Sequence, residues 1–338
     1  MIQFFRKIRQ NLLSEGKTGK YLKYAIGEII LVVIGILIAI AINDAYNNAK
    51  NEAKIKVILT QIQDDIIADL NDSERILSVY IRKDSTARNI LNDRASIKNT
   101  WWELRPFDGY VNFSVHREGY KRLMNNLENL PEKYNGLLSK LNDMYVVTQE
   151  DISIANENLL ARSDNSPFDR IYTNPEHAKH VMNYFTTDEA KRYILEDPFL
   201  KNRTIDYMQA YRSVVFTSNS FRVTATELYK QIDTLLGLKD SKLPESLEIH
   251  KSRAILEPYL GDYTHIEGYE IFPTESSINF ENNLMYYERV RGKRYVYWFQ
   301  DNYFFTERGI LFRFYKNEEG QQLVEISDGI RSEILIKD

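Results

Sequence analysis

Five histidines, 48 acidic side chains and no cysteine set the chemistry that this 338-residue chain can attempt. Without thiols there is no disulfide framework, no thiolate nucleophile and no thiolate zinc site. His177 and His180 stand three residues apart with Glu176 beside them. That spacing puts two imidazoles on one face of a helical turn and could hold a metal if a third ligand arrived. The plainer reading, two polar residues on a solvated first turn, carries more weight. His116 precedes Arg117-Glu118 and reads as a capping or surface residue. Asp64, Asp65, Asp69 and Asp72 crowd one side of a helix but lack the spacing and second copy of an Asp-rich metal motif. A solvated acidic face is expected there. Thr217, Ser218 and Ser220 sit mid-helix with no matched base nearby in sequence, so helix packing is their expected role. There is no phosphate-binding Gly-rich loop, no Gly-x-Ser-x-Gly elbow and no His-Glu-x-x-His. No catalytic or cofactor-binding residue is assigned, and no cofactor is expected.

The strongest binding signal is aromatic. Tyr295, Tyr297 and Phe299 alternate with Val296 and Trp298, so both faces of one strand carry large rings. One face must be core. The other is either a second core layer or an exposed platform for a glycan, peptide or lipid.

Several elements must position these residues. No Gly or Pro occurs between Gly35 and Pro106, so a long helix is expected to run to about Asn92, with a bend near Asn71-Asp72-Ser73. After Pro131, the series Tyr134, Leu138, Leu141, Tyr145, Thr148, Ile152, Ala155 and Leu159 repeats every 3.5 residues. It reads as one face of an intramolecular bundle more than as an oligomeric coiled coil. Short helices are expected over 175–185 and 189–195, the second with a Thr186/Glu189 capping box. A third long helix runs from about Phe199 to Leu236, with Ile205, Met208, Val215, Val223, Leu228, Ile232 and Leu235 inward, and Gly237 stops it. Beyond a linker at 238–252, short alternating runs begin with YEIFPT at 269–274 and end with SEILIK at 332–337. They read as an antiparallel meander of about eight strands.

The averages conceal a membrane segment. A net charge of −4 and a mean hydropathy of −0.44 suit a soluble protein and argue against nucleic acid as a partner. Yet the first 23 residues carry six basic side chains against Glu15, a net of +5, which leaves −9 for the rest. Between them lies AIGEIILVVIGILIAIAI, Ala25 to Ile42, broken only by Glu28. Eighteen helical residues span roughly 27 Å, near the thickness of a bilayer core. The basic flank is expected to stay in the cytoplasm, with the remainder in the periplasm. The leader Met1–Leu13 is amphipathic enough to lie on an anionic leaflet. Ala39-Ile40-Ala41 also fits a signal-peptide cleavage site, but the long leader favours an uncleaved anchor. Glu28 sits about one turn inside the boundary, where it can snorkel beside Lys23 or meet a partner within the membrane. Gly35 and Ala39 form a small-xxx-small pair that would let two helices approach, so a homodimer is one reading.

The stretch FFRKIRQNLLSEGKTGKYLKYAIGEIILVVIGILIAIAIND resembles the N-terminal signature of a large family of uncharacterised bacterial single-pass membrane proteins. The likeness is strong over Phe4–Asn43 and continues faintly through FSVHREGYKRL at 113–123. That family usually carries Gln-Ile-Asn-Asn-Trp after the span, and residues 41–45 here depart from it. The resemblance implies an anchored envelope protein with a helical ectodomain, and no activity. Tyr259-Leu260-Gly261-Asp262-Tyr263, Asn283-Leu284 and Phe312-Arg313-Phe314 resemble the small β-domain behind penicillin-binding-protein-like hydrolases. That likeness implies an accessory module, for binding or packing more than for catalysis.

The expected architecture is therefore α+β: a leader (1–23), a transmembrane helix (24–43) continuing into an elongated helical bundle (44–237), a linker (238–252), and a small antiparallel β-barrel or sandwich (253–338). The expected function is a non-catalytic binding or scaffolding ectodomain in the envelope, with the bilayer and an envelope protein, peptide or glycan as partners. With 23 residues on the cytoplasmic side, any signalling is expected to pass through a partner. The alternative is a periplasmic hydrolase whose acid, base or metal ligands converge only in the fold.

Overall fold

A computed structural model describes residues 18–104, 111–164, 179, 187–269, 271, 275–289 and 292–338. Contacts divide the chain into two units: residues 1–57 with 126–132, and residues 58–125 with 133–338.

Helix α1 is continuous from Thr18 to Leu91. In the first unit its apolar run, from Ile26 through Ile42, is exposed throughout. One segment of α1 is thus long and apolar enough to cross a membrane. Residues 126–132 join this unit through Asn51, which donates to Asn129 at 3.3 Å, and Lys54, which donates to Asn126.

In the second unit α1 changes character. Ile58, Leu59, Ile62, Ile66, Leu70, Ser73, Leu77, Tyr80, Asp84, Ala87 and Arg88 are buried at three- and four-residue spacing. The helix ends as expected near Asn92: Asp93 takes a left-handed φ of 55°, and the Asn89 carbonyl accepts from Arg94 and Ala95.

The segment after Pro131 is helical from Glu132 to Asp164, but not uniformly α. A 3₁₀ turn (Glu132–Leu137) leads into α3 (Leu138–Asn142), a π turn (Asp143–Thr148) and α4 (Gln149–Asp164); α2 is the short helix Glu118–Met124. The tight first turn buries Leu137 where the heptad reading expected Leu138. The π turn then absorbs one extra residue, so that Tyr145, Ile152 and Leu159 still face inward. Helix α5 (Asp188–Glu196) is capped by Thr187, whose hydroxyl accepts from the Ala190 amide, not by Thr186. The expected helix at 175–185 lies outside the described residues, apart from Lys179.

Helix α6 spans Pro198–Leu236. The Asp197 carboxylate caps it, accepting from Phe199 and Leu200, and Gly237 ends it at φ 70°. It runs antiparallel to α1, since rising numbers on one meet falling numbers on the other. Gln63 donates to Asp233 at 2.7 Å, Ser73 pairs with Ser218 at 2.8 Å, and Tyr211 donates to the Ile76 carbonyl at 3.2 Å. Thr217 and Ser218 are buried helix-packing residues, as the sequence suggested.

The C-terminal sheet is a closed barrel rather than a sandwich, with eight antiparallel strands in sequential order. They are β1 (Gly261–Gly268), β2 (Glu275–Glu281), β3 (Leu284–Arg289), β4 (Gly292–Gln300), β5 (Tyr303–Thr306), β6 (Leu311–Lys316), β7 (Gln322–Ser327) and β8 (Ser332–Lys337). Strand β1 closes on β8, with Tyr263 opposite Lys337 and His265 opposite Leu335. The first strand is therefore GDYTHIEG, not YEIFPT; Tyr269 and Ile271 lie outside any strand. Alternation misplaced it because Tyr263 is the only fully buried side chain of β1.

The barrel interior is a solid core of Tyr263, Met285, Tyr287, Phe304, Phe312 and Phe314 with aliphatic neighbours. The partly buried Tyr259 packs against this core, with its ring centre 5.1 Å from that of Phe304 and 4.7 Å from that of Phe314. Gly268 (φ 95°) lies so close to β8 that a Cβ would meet the Ser332 carbonyl oxygen at 2.2 Å. Gly320 (φ 81°) has open space around it. Gly268→Ala should therefore cost more than about 2 kcal/mol, and Gly320→Ala about 1 kcal/mol from backbone strain alone. Urea unfolding of the two variants against the parent measures the difference.

Candidate functional site: buried charges on the first helix

Two polar clusters on the second-unit part of α1 organise what packs around it. The first contains Asp65 and Asp69, one turn apart. Residues 111–115 approach as an extended segment, with Val111, Phe113 and Val115 buried and Asn112 and Ser114 exposed. Asn156 on α4 imitates a neighbouring strand, accepting from the Phe113 amide (3.2 Å) and donating to its carbonyl (2.6 Å). The next residues dock on α1. The His116 amide donates to both Asp69 oxygens at 3.1 Å, and His116 Nδ1 lies 2.5 Å from Asp69 Oδ1. The Gly119 amide donates to Asp65 at 2.9 Å. A Cβ on Gly119 would meet Ile62 at 2.8 Å and Asp65 at 2.9 Å, so only glycine permits this approach. The acidic face expected to be solvated is thus partly internal: Asp69 is fully buried, and His116 supplies the donors that water would have supplied. His116 itself keeps a half-exposed imidazole (53%). Burial pushes the Asp69 carboxyl up to about 6, against the lowering effect of the His116 bonds. The hydrogen bond and charge of Asp69 raise His116 above its ordinary value.

The second cluster ties α1 to the barrel. Arg88 pairs with Asp84 at 2.9 Å and with Glu325 on β7. Ser327 on β7 donates to Asp84 at 2.6 Å. Arg313 reaches the other Glu325 oxygen at 3.6 Å. Asp84, Arg88, Glu325 and Ser327 are all buried. Burial raises the Asp84 carboxyl, opposed by Arg88 and Ser327. Arg88 is raised despite its burial, because Asp84 and Glu325 hold its charge. In the turn that follows β7, Asp328 accepts from Arg331 at 2.6 and 3.0 Å and faces Arg212 of α6 at 3.7 Å. Burial pushes the Asp328 carboxyl up, but the Arg331 and Ile330 hydrogen bonds outweigh it and hold it low.

A third charge, Arg222, is fully buried on α6. It donates to the Trp298 carbonyl beside an irregularity in the β4–β5 ladder, and lies 5.5 Å from the centre of the Phe299 ring. Burial lowers it to about 10, opposed by Glu74 and Glu248.

The aromatic residues of β4 fall into two packed layers. Val296 and the partly buried Trp298 face the barrel interior. Tyr297 and Phe299 are buried on the outer side. Tyr297 packs with Ile249 and Leu284, with Tyr295 and Val223 partly buried against them, while Phe299 meets Phe305 at 5.6 Å. Tyr297 donates to Glu307 at 2.9 Å, and Lys251 lies 3.9 Å from the centre of the Trp298 ring. The outer face of this strand is therefore the second core layer, against α6 and residues 247–251. Glu28 is half-buried and Ala39 exposed, while Gly35 has open space where a side chain would project. His177 and His180 lie outside the described residues. Among those described, no group of three or more His, Asp or Glu is placed to hold a metal.

Sequence reasoning missed Asp84, Arg88, Glu325, Ser327 and Arg222. A signal existed for the first two. Asp84 and Arg88 continue the same helical face as Leu77, Tyr80 and Ala87, where unpaired charge would be too costly to bury. Nothing in sequence linked them to β7, 237 residues away.

Residues 28–115 match the model of a family of unknown function (DUF6090). That span covers α1 from the apolar run onward and ends one residue before His116. No curated protein and no solved structure matches the chain.

Removing one member of the α1–β7 cluster leaves its partners charged and buried. Arg88→Met should destabilise the second unit by about 3–5 kcal/mol, whereas Ser327→Ala, which removes the hydroxyl that donates to Asp84 and accepts from the Gly329 amide, should cost about 1–3 kcal/mol. Denaturant titrations give both values, and a double-mutant cycle of Arg88 with Glu325 should show coupling above about 1 kcal/mol.

Proposed function

We propose that this chain is a single-pass membrane protein with a non-catalytic ectodomain, serving as an anchored binding or scaffolding element in the cell envelope. The observation that carries this reading is the exposed apolar run of α1. Twelve large aliphatic side chains from Ile26 to Ile42 lie in the open on this helix, with no other described element packed against them. Lipid is the solvent that suits such a surface. The +5 leader before it, set against a net charge of −9 over the rest of the chain, supports a cytoplasmic N-terminus and a periplasmic C-terminal part. The scaffolding side of the reading is supported by how the ionisable groups of the second unit are used. Asp69, Asp84, Arg88, Arg222 and Glu325 each join one element of the fold to another. The family match over residues 28–115, which includes most of the apolar run, is consistent with an anchored module.

Topology and anchoring are tested together. The full chain should stay in the membrane pellet after alkaline carbonate washing, and a C-terminal phosphatase fusion should be active. A C-terminal fusion that works only in the cytoplasm, or release of the chain by carbonate, would refute the proposal. Replacing Val33 and Leu37 with Asp should release the protein from the membrane, since each charge in mid-span costs about 2.5–3.5 kcal/mol.

A further inference from the structure

The three hydrogen bonds found on the buried Asp69 carboxylate all come from one residue, His116. We propose that this pair is a proton-operated clamp: a protonated His116 locks residues 111–124 onto α1, and loss of that proton loosens the segment. The geometry supports a clamp because regular structure does little to hold residues 111–117. They belong to no helix or sheet, and they are pinned by Asn156 on Phe113 and Asp69 on His116, while just beyond them Asp65 accepts from Gly119 and Gln61 from Arg122. Of these, Asp69–His116 can gain or lose an ionic component near neutral pH.

The charged surroundings leave His116 as the local source of positive charge for Asp69. On α1, Asp65 lies one turn away and is itself an acid. On α2, Glu118 adds another negative charge near the imidazole. From the π turn, Tyr145 faces both aspartates, and burial together with those two carboxylates holds its phenol well above the ordinary value. Tyr145 in turn stacks on Tyr120 of α2, with ring centres 4.9 Å apart, so the clamped segment carries part of this packing. A neutral imidazole would leave Asp69 buried among acids with only neutral donors. The half-exposed ring of His116 gives protons a direct route to solvent.

The sign follows from linkage. Both groups are raised in the folded state, Asp69 to about 6 and His116 above its ordinary value. A raised group contributes stability that is fully present below its unfolded pKa and is lost as pH rises through the folded one. The clamp therefore holds in acid, where protonation relieves the buried charge, is an ion pair between about pH 6 and the raised value of His116, and weakens toward alkaline pH as His116 loses its proton.

Hydrogen–deuterium exchange of the full chain in nanodiscs tests this. Protection factors, which remove the intrinsic pH dependence of exchange, should fall at least about tenfold in peptides covering 111–124 between about pH 5 and about pH 8. Peptides from β6 and β7 should not follow. His116→Gln and Asp69→Asn should each flatten the profile, and the exposed position of His116 keeps the first variant folded. A flat profile in the parent, an unchanged slope in both variants, or a fall shared equally by the barrel strands would each overturn the proposal. None of these outcomes depends on whether the chain is oriented as proposed above.

Discussion

Burying Asp84 and Arg88 on the inward face of α1 commits that helix to the barrel. The two charges neutralise each other only in part, and both keep unused hydrogen-bonding capacity. Glu325 and Ser327, two residues apart on β7, complete the set. A strand places side chains two apart on the same face, so β7 offers both partners at once. Such a cluster adds little net stability relative to an apolar core of equal volume, but breaking it is expensive. Its effect is to fix which strand meets which turn of the helix. Tyr80 follows from that placement, lying 6.3 Å from Phe305 and 5.6 Å from Tyr211.

Helix α6 is the other constraint. It meets α1 along one side, α4 along another through Arg162 and Asp206, and the barrel along a third through Asn219 and Arg222. A helix surrounded in this way must hold polar residues wherever it faces backbone. Asn219 donates to the Thr306 carbonyl and Arg222 to the Trp298 carbonyl, both on barrel strands. These bonds explain why polar side chains interrupt an otherwise apolar pattern. They also explain why the outer face of β4 is packed: Tyr297 and Phe299 cover the same helix that Arg222 anchors.

Much of this architecture was legible from local pattern. The unbroken α1, the stop of α6 at Gly237, and the eight-strand count were all readable, because each depends on residues close in sequence. Register was harder. The 3₁₀ turn at Glu132–Leu137 displaces the start of the heptad, and β1 escaped because its burial pattern does not alternate cleanly. The candidate clusters were least legible. His116 and the α1 aspartates were visible as residue types, yet 47 positions separate Asp69 from His116, and sequence spacing carries no information over that distance.

The sequence by itself determined the apolar run, the charge asymmetry around it, the succession of helices and strands, and the absence of thiol chemistry. These follow from composition and from the 3.6- and 2-residue periods, which are local properties of the backbone. Only the tertiary structure decided that the sheet closes, that the aromatic strand is packed on both sides, and that the aspartates of α1 divide between solvent and interior. Each of those outcomes depends on which distant group displaces water from a given side chain. Burial of a charge is decided by its countercharge and donors, and the fold alone brings these within reach.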